Sequence, residues 1–181
     1  MGIMRIDDVS PNTDFSDFKE QISILRKKGF KLIVGVNLFC KESVDGALYP
    51  DLPLSQQPMS YLLNVDKMLR MQDVLDCGVK PEEIVSHGLV HTNHARMSRD
   101  AQMVSILTSC SFLGTKRFIP PFNAVDETTK EICSGHGIEI IGNTHDHSWQ
   151  SLESQDYMPD RSHWYYHPWR IDAKKLAGQF K

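Results

Sequence analysis

The sequence is short of most features that mark a specialised class. No apolar run approaches the ~20 residues of a membrane span, so no membrane partner is expected. Acids and bases are mixed along the chain, and a net charge of −3 with no basic stripe argues against a nucleic-acid partner. The four cysteines, Cys40, Cys77, Cys110 and Cys133, are scattered, with no CxxC spacing among them. That argues against a cysteine zinc site and for free thiols buried in a reducing compartment. The start, "GIMRIDD", lacks the ordered basic, apolar and cleavage regions of a signal peptide, which predicts a cytoplasmic location. No internal repeat or linker stands out. The 181 residues read as a single domain, 1–181, within the usual ~100–200 residues.

What the sequence does have is a strand–helix alternation. "IMRI" predicts a short strand, and "TDFSDFKEQISILRKKG" an amphipathic helix stopped by Gly29. "FKLIVGVNLF" predicts a buried strand. Residues 38–59 read as an irregular loop with three prolines, and "MSYLLNVDKMLRMQDVLDCG" as a helix. Strands are expected in "EEIVSH", "KRFIPPF", "IEIIGN" and "HWYYHPW". Helices are expected in the stretch capped by Ser98, in "DETTKEICSGHG" and after Asp172. Such alternation predicts an α/β fold with a mostly parallel sheet. In those sheets ligands bind at the carboxyl ends of the strands. The unusual residues gather there: Asp7 and Asp8 after the first strand, His87 and His91 after the third, "PPFN" after the fourth, and His167 after the last.

Eight histidines are present, most of them in groups at 87/91/94, 145/147 and 163/167. In "HGLVH", His87 and His91 are four residues apart, a spacing that puts both imidazoles on one side of a tight turn. Neutral imidazole is the commonest metal ligand, and Gly88 allows a sharp turn between the two. Zinc takes two histidines and one carboxylate and keeps positions open for water and substrate; other divalent ions suit the same donors. A cation also explains why two adjacent carboxylates coexist. In a regular strand Asp7 and Asp8 point to opposite faces; at a strand end both can approach one site. One then binds the metal while the other takes a proton from water. Arg5 shares a strand face with Asp7 and can hold it ionised. His167 is the candidate acid for the leaving group.

With those residues in place, the sequence resembles the polysaccharide deacetylase superfamily, of the NodB-homology or carbohydrate esterase family 4 type. Asp7-Asp8 matches the family's Asp-Asp pair, His87-Gly-Leu-Val-His91 its His-x-x-x-His motif in a divergent HGxxH form, "FIPPFN" loosely its Arg-x-Pro-Tyr motif, and "YYHPW" its last histidine motif. The resemblance implies a distorted, incomplete (β/α) barrel of about six or seven mostly parallel strands. It implies Asp7 as general base, His167 as general acid, and Asp8, His87 and His91 as ligands of a divalent metal, most readily Zn2+. The implied substrate is an N-acetylated amino sugar or glycan, with removal of the acetyl group. Related amide or ester hydrolysis, and a carbohydrate-binding protein without turnover, are the alternatives.

Three departures bear on the site. Gly88 replaces a hydroxyl residue of the metal loop. Ile119 stands where the family has the arginine that orients the base, so either Arg5 or Arg117 is expected to replace it. The family's Asp-Trp motif is not clear, although Trp149 is placed to serve in part. Pro121, Phe122, Asn123 and Trp149 are the expected substrate-binding residues, with Phe122 an apolar platform for a sugar face. His94 is a candidate partner of a metal ligand, and 145–147 a candidate second grip on a metal.

Overall fold

The computed structural model describes residues 2–40, 67–142, 149–154, 156–158 and 161–180. Nine strands are described: β1 (Ile3–Val9), β2 (Lys31–Val36), β3 (Phe39–Cys40), β4 (Lys67–Met68), β5 (Ile84–Ser86), β6 (Arg117–Phe118), β7 (Glu139–Ile140), β8 (Gln150–Ser151) and β9 (His163–Tyr166). Five helices accompany them: α1 (Phe15–Lys27), α2 (Met71–Asp76), α3 (Arg99–Phe112), α4 (Glu127–Gly135) and α5 (Ala173–Gln179). Seven strands form one curled, half-barrel sheet in the order β7-β6-β5-β2-β1-β9-β8, and every pairing in it is parallel. This is the incomplete (β/α) barrel expected. No described helix is long and apolar enough to cross a membrane.

Local chemistry explains the elements. The side chain of Asp14 caps α1 by accepting from the backbone N–H groups of Ser16 and Asp17, and Gly29 ends it at φ 77°. Ser98, Asp126 and Asp172 cap α3, α4 and α5 in the same way. The apolar faces of α1, β1, β2 and β9 make the main core, with Phe18, Val34, Trp164 and Tyr166 fully buried. A second cluster, including Ile106, Phe118 and Ile132, lies between α3, α4 and β6. One buried polar link crosses the main core: Tyr166 Oη donates to Gln21, whose amide donates to the Ile171 carbonyl at 2.8 Å. It joins α1 to the segment that leaves β9, and buried polar groups are tolerated when paired like this.

Three expectations need correction. Lys67–Met68, expected in a helix, is a strand paired antiparallel with Phe39–Cys40, and the helix that follows is only Met71–Asp76. Its β4 residues are bonded to a partner that helical periodicity cannot reveal; the expected residues 59–66, and loop residues 41–59, lie outside the described residues. A short strand, Gln150–Ser151, forms where no strand was expected, because it pairs with β9 at the sheet edge. Finally, β1 does not end at the aspartates. It continues to Val9, with a register shift between Ile6 and Val9 and Asp8 at φ 63°.

Candidate metal centre

That irregularity in β1 is what aims the two aspartates. A positive φ at a residue other than glycine is uncommon, and aspartate adopts it more readily than most. It breaks the alternation of the strand, so Asp8 turns to the rim while Asp7 stays buried beside Arg5.

Asp8 meets the histidines. Its Oδ1 lies 3.0 Å from His87 Nε2 and 3.1 Å from His91 Nε2. One donor atom from each of Asp8, His87 and His91 falls within 4.8 Å of the others, the sole such group among the described residues. The protonation pattern fits a cation. His87 Nδ1–H donates to the Ile119 carbonyl at 2.7 Å, which leaves Nε2 bare in the neutral ring and facing a bare carboxylate oxygen. Two lone pairs at that distance call for a positive charge between them. In the metal-free protein a proton serves: burial opposes it, but the hydrogen bond to Asp8 and the charges of Asp7 and Asp8 raise the pKa of His87. Burial likewise works against the Asp8 carboxylate, yet bonding and charge from His87 and His91 hold it well below the usual range. Two imidazoles and one carboxylate are a donor set suited to zinc and several other divalent ions.

The loop carrying these histidines is held from beneath. Gly88 has φ 90°, and a Cβ there would press on the His94 ring and the Val90 carbonyl. The glycine in place of a hydroxyl residue is thus required by the path of this loop. Hydroxyl groups come from elsewhere: Ser86 Oγ accepts from Gly88 N–H, and Ser105 Oγ accepts from Leu89 N–H, both at 3.2 Å. His94 is buried under the loop, donating from Nδ1 to the Thr92 carbonyl and accepting at Nε2 from Ser105, each at 3.0 Å. Burial, with the charges of His87 and His91 adding to it, lowers its pKa to about 4. Asn37 steadies the other side, donating to the His87 carbonyl at 2.5 Å.

Arg5, fully buried, pairs with Asp7 Oδ2 at 2.8 Å and donates to Asn123 Oδ1 at 3.2 Å. The rings of Trp149 and Tyr165 lie 5.0 and 5.1 Å from its guanidinium carbon. Asp7 Oδ1 has no hydrogen-bond partner among the described residues. Arg117 is directed elsewhere, to the Glu82 carbonyl, and Ile119 is fully buried near Gly35. Of the two candidates for the missing arginine, Arg5 is the one at Asp7.

His167 stands across the site, its Nε2 3.7 Å from Asp8 Oδ2. Its backbone N–H and its Nδ1–H both donate to Glu153 Oε1, at 2.7 and 2.6 Å, which fixes the ring with Nε2 toward Asp8. Glu153 is in turn bonded by Arg170 at 3.1 Å. Trp169, 64% exposed, donates from Nε1 to Asp8 Oδ2 at 3.3 Å.

The expected substrate-binding residues part company. Phe122 is 54% exposed, at φ 59°, with its ring 4.4 Å from that of His91; Pro121 is buried beneath it. Asn123, exposed, and Trp149, half-buried, both contact Arg5. The 145–147 group lies outside the described residues. Sequence reasoning missed Glu153 and the contact of Trp169 with Asp8. Glu153 is a lone acid in a polar stretch with no telling interval to His167; Trp169, two residues past His167, carried a positional signal.

A scan against protein-family models finds no match, and a search of curated proteins finds none. Solved structures do match. A carbohydrate esterase family 4 (CE4) pseudoenzyme from Bacillus anthracis, BA3943, aligns at TM-score 0.60 and 11% identity over 99% of this chain and 59% of that one. The family 4 carbohydrate esterase from Streptomyces lividans, in complex with acetate, aligns at TM-score 0.54 and 12% identity over 99% and 86% of the two chains. The Xyl-CE4 domain of a multidomain xylanase from the hindgut metagenome of Trinervitermes trinervoides aligns at TM-score 0.50 and 14% identity over 98% and 78%. The chain therefore has the NodB-like fold of the family 4 carbohydrate esterases.

Proposed function

We propose that the protein is a metal-dependent hydrolase that removes the acetyl group from an N-acetylated amino sugar or glycan. The observation that carries this reading is the convergence of Asp8 Oδ1 with His87 Nε2 and His91 Nε2 at 3.0–3.1 Å, beside the buried Arg5–Asp7 pair and His167. A divalent ion bound there would supply Lewis-acid polarisation of the acyl carbonyl and would acidify a water toward ~7. Asp8, His87 and His91 would hold it. Asp7, kept in place by Arg5 through Oδ2, accepts the water's proton at Oδ1. The water oxygen adds to the acyl carbon, the carbon–nitrogen bond breaks, and His167 delivers a proton from Nε2 to the departing amine. Glu153 holds His167 for that transfer. Phe122 offers an apolar face to the sugar. Acetate, which the S. lividans esterase holds, is the acid such a reaction releases.

A second reading is favoured by one comparison: BA3943 has this fold and is described as a pseudoenzyme. A cleft that binds carbohydrate without turnover is the competing function. The test is metal content by mass spectrometry on wild type, Asp8→Ala and His91→Ala, followed by acetate release from N-acetylated amino sugars. About one divalent ion per chain, lost in both variants, together with acetate release, supports the hydrolase. Metal and sugar binding without acetate release supports the binding protein. An absence of metal after divalent ions are added back overturns the metal reading.

A further inference from the structure

Trp169 differs from the other described tryptophans. Trp164 is fully buried in the core and Trp149 is half-buried over Arg5, whereas Trp169 is largely exposed. Core packing does not hold it, yet it is tied down on several sides. Its Nε1–H donates to Asp8 Oδ2 at 3.3 Å, and its ring centre is 5.7 Å from that of His167. The Arg170 guanidinium lies 4.5 Å from its ring centre while donating to Glu153. A cation over an indole face, itself fixed by a carboxylate, orients the ring.

The two oxygens of Asp8 are thereby divided. Oδ1 faces His87 and His91; Oδ2 faces the indole N–H and His167 Nε2. A carboxylate can hold a metal through one oxygen or both, and the choice sets how many positions stay open for water and substrate. We propose that Trp169 is a positioning residue for Asp8: its indole N–H engages Oδ2, turns Oδ1 toward His87 and His91, and keeps the carboxylate on the metal through one oxygen. This rests on the metal reading above. Hydrogen-bond partners of ligands are commonly worth about 10–100-fold in metal affinity.

The test is zinc affinity, measured by competition with a chromophoric chelator, for metal-free wild type, Trp169→Phe and Trp169→Ala. Phenylalanine keeps an aromatic ring and removes the N–H. Both variants are expected to bind zinc about 10-fold or more weakly, the phenylalanine variant nearly as weakly as the alanine one. The thermal midpoints of the metal-free proteins should match wild type, since the indole is exposed. Wild-type zinc affinity in Trp169→Phe, with binding abolished in Asp8→Ala, overturns this inference and leaves the metal site standing. A weakened affinity matched by a lowered metal-free midpoint makes the role merely structural and also overturns it. No zinc binding by wild type overturns the metal reading and this inference with it.

Discussion

Gly142 makes room for Arg5. A Cβ at position 142, where φ is 103°, would overlap Arg5 Nη1. The guanidinium of Arg5 is therefore boxed in by Gly142, by the Trp149 and Tyr165 rings, and by Asp7 and Asn123. Under the proposed function, the arginine that the family resembled carries at position 119 would be supplied from position 5, on the same strand as Asp7.

Arg5→Met leaves the Asp7 carboxylate buried without its cation, and breaking one side of a buried ion pair costs about 3–5 kcal/mol. Gly142→Ala should act in the same direction, by displacing the guanidinium and straining the backbone, at about 1–3 kcal/mol. Urea unfolding of both variants checks this. Under the proposed function, both should also lose acetate release while zinc stays bound. A Gly142→Ala protein with wild-type stability would mean that Arg5 is not confined as described.

Under the proposed function, His167→Ala should lower kcat by about 10²–10⁴-fold, the usual worth of a positioned acid, with zinc content unchanged. Glu153→Gln should show a smaller loss in the same direction, since the amide oxygen still accepts from His167 but the partner of Arg170 is lost. Steady-state acetate release beside metal analysis makes the measurement. Loss of zinc in His167→Ala would make His167 a ligand rather than an acid.

Much of this arrangement was legible in the sequence, and the limits have physical causes. Helices announced themselves through Ser98 and Asp172 because a cap is a local event, settled within one turn. The gathering of Asp8, His87 and His91 followed from placing each at the end of a parallel strand, since one end of such a sheet is one place. The long-range partners were not legible. Glu153 reaches His167 only because β8 pairs with β9, and Lys67–Met68 is a strand only because Phe39–Cys40 lies beside it. The turn at Asp8 was expected as the end of a strand; it is instead an irregularity within one, visible only in the register shift between Ile6 and Val9.

Metal binding should release a proton. Hydrogen bonding to Asp8 and nearby negative charge outweigh burial and raise the pKa of His87 above its ordinary 6.5. At pH 6.5 His87 is therefore protonated in more than half of the metal-free molecules, and a metal bound there must displace that proton. The raised pKa also means that this proton stabilises the metal-free fold below pH 6.5, an effect lost as pH climbs through the folded value. Calorimetric zinc titrations at pH 6.5 in buffers of different ionisation enthalpy should show net proton release, and affinity rising with pH. A pH-independent affinity with no proton release would place the metal elsewhere.

His94 predicts the opposite slope. Its neutral form is fixed by two bonds, Nδ1–H to the Thr92 carbonyl and Nε2 receiving the Ser105 hydroxyl; a protonated ring would lose the second. Burial lowers its pKa from 6.5 to about 4. The unfolded chain thus takes up a proton that the folded chain refuses. The stability tied to neutral His94 is complete above pH 6.5 and is lost as pH falls toward 4, by a total of about 3 kcal/mol at ~1.4 kcal/mol per pKa unit. His94→Gln can keep one donor and one acceptor without titrating. It should be less stable than wild type at pH 7, and the gap should close as the pH drops to 4.5. Urea unfolding of both proteins with chelator present, at several pH values, measures the gap directly. A gap that stays constant with pH would mean that His94 carries its proton in the folded protein, and that Ser105 turns its hydroxyl away from the ring.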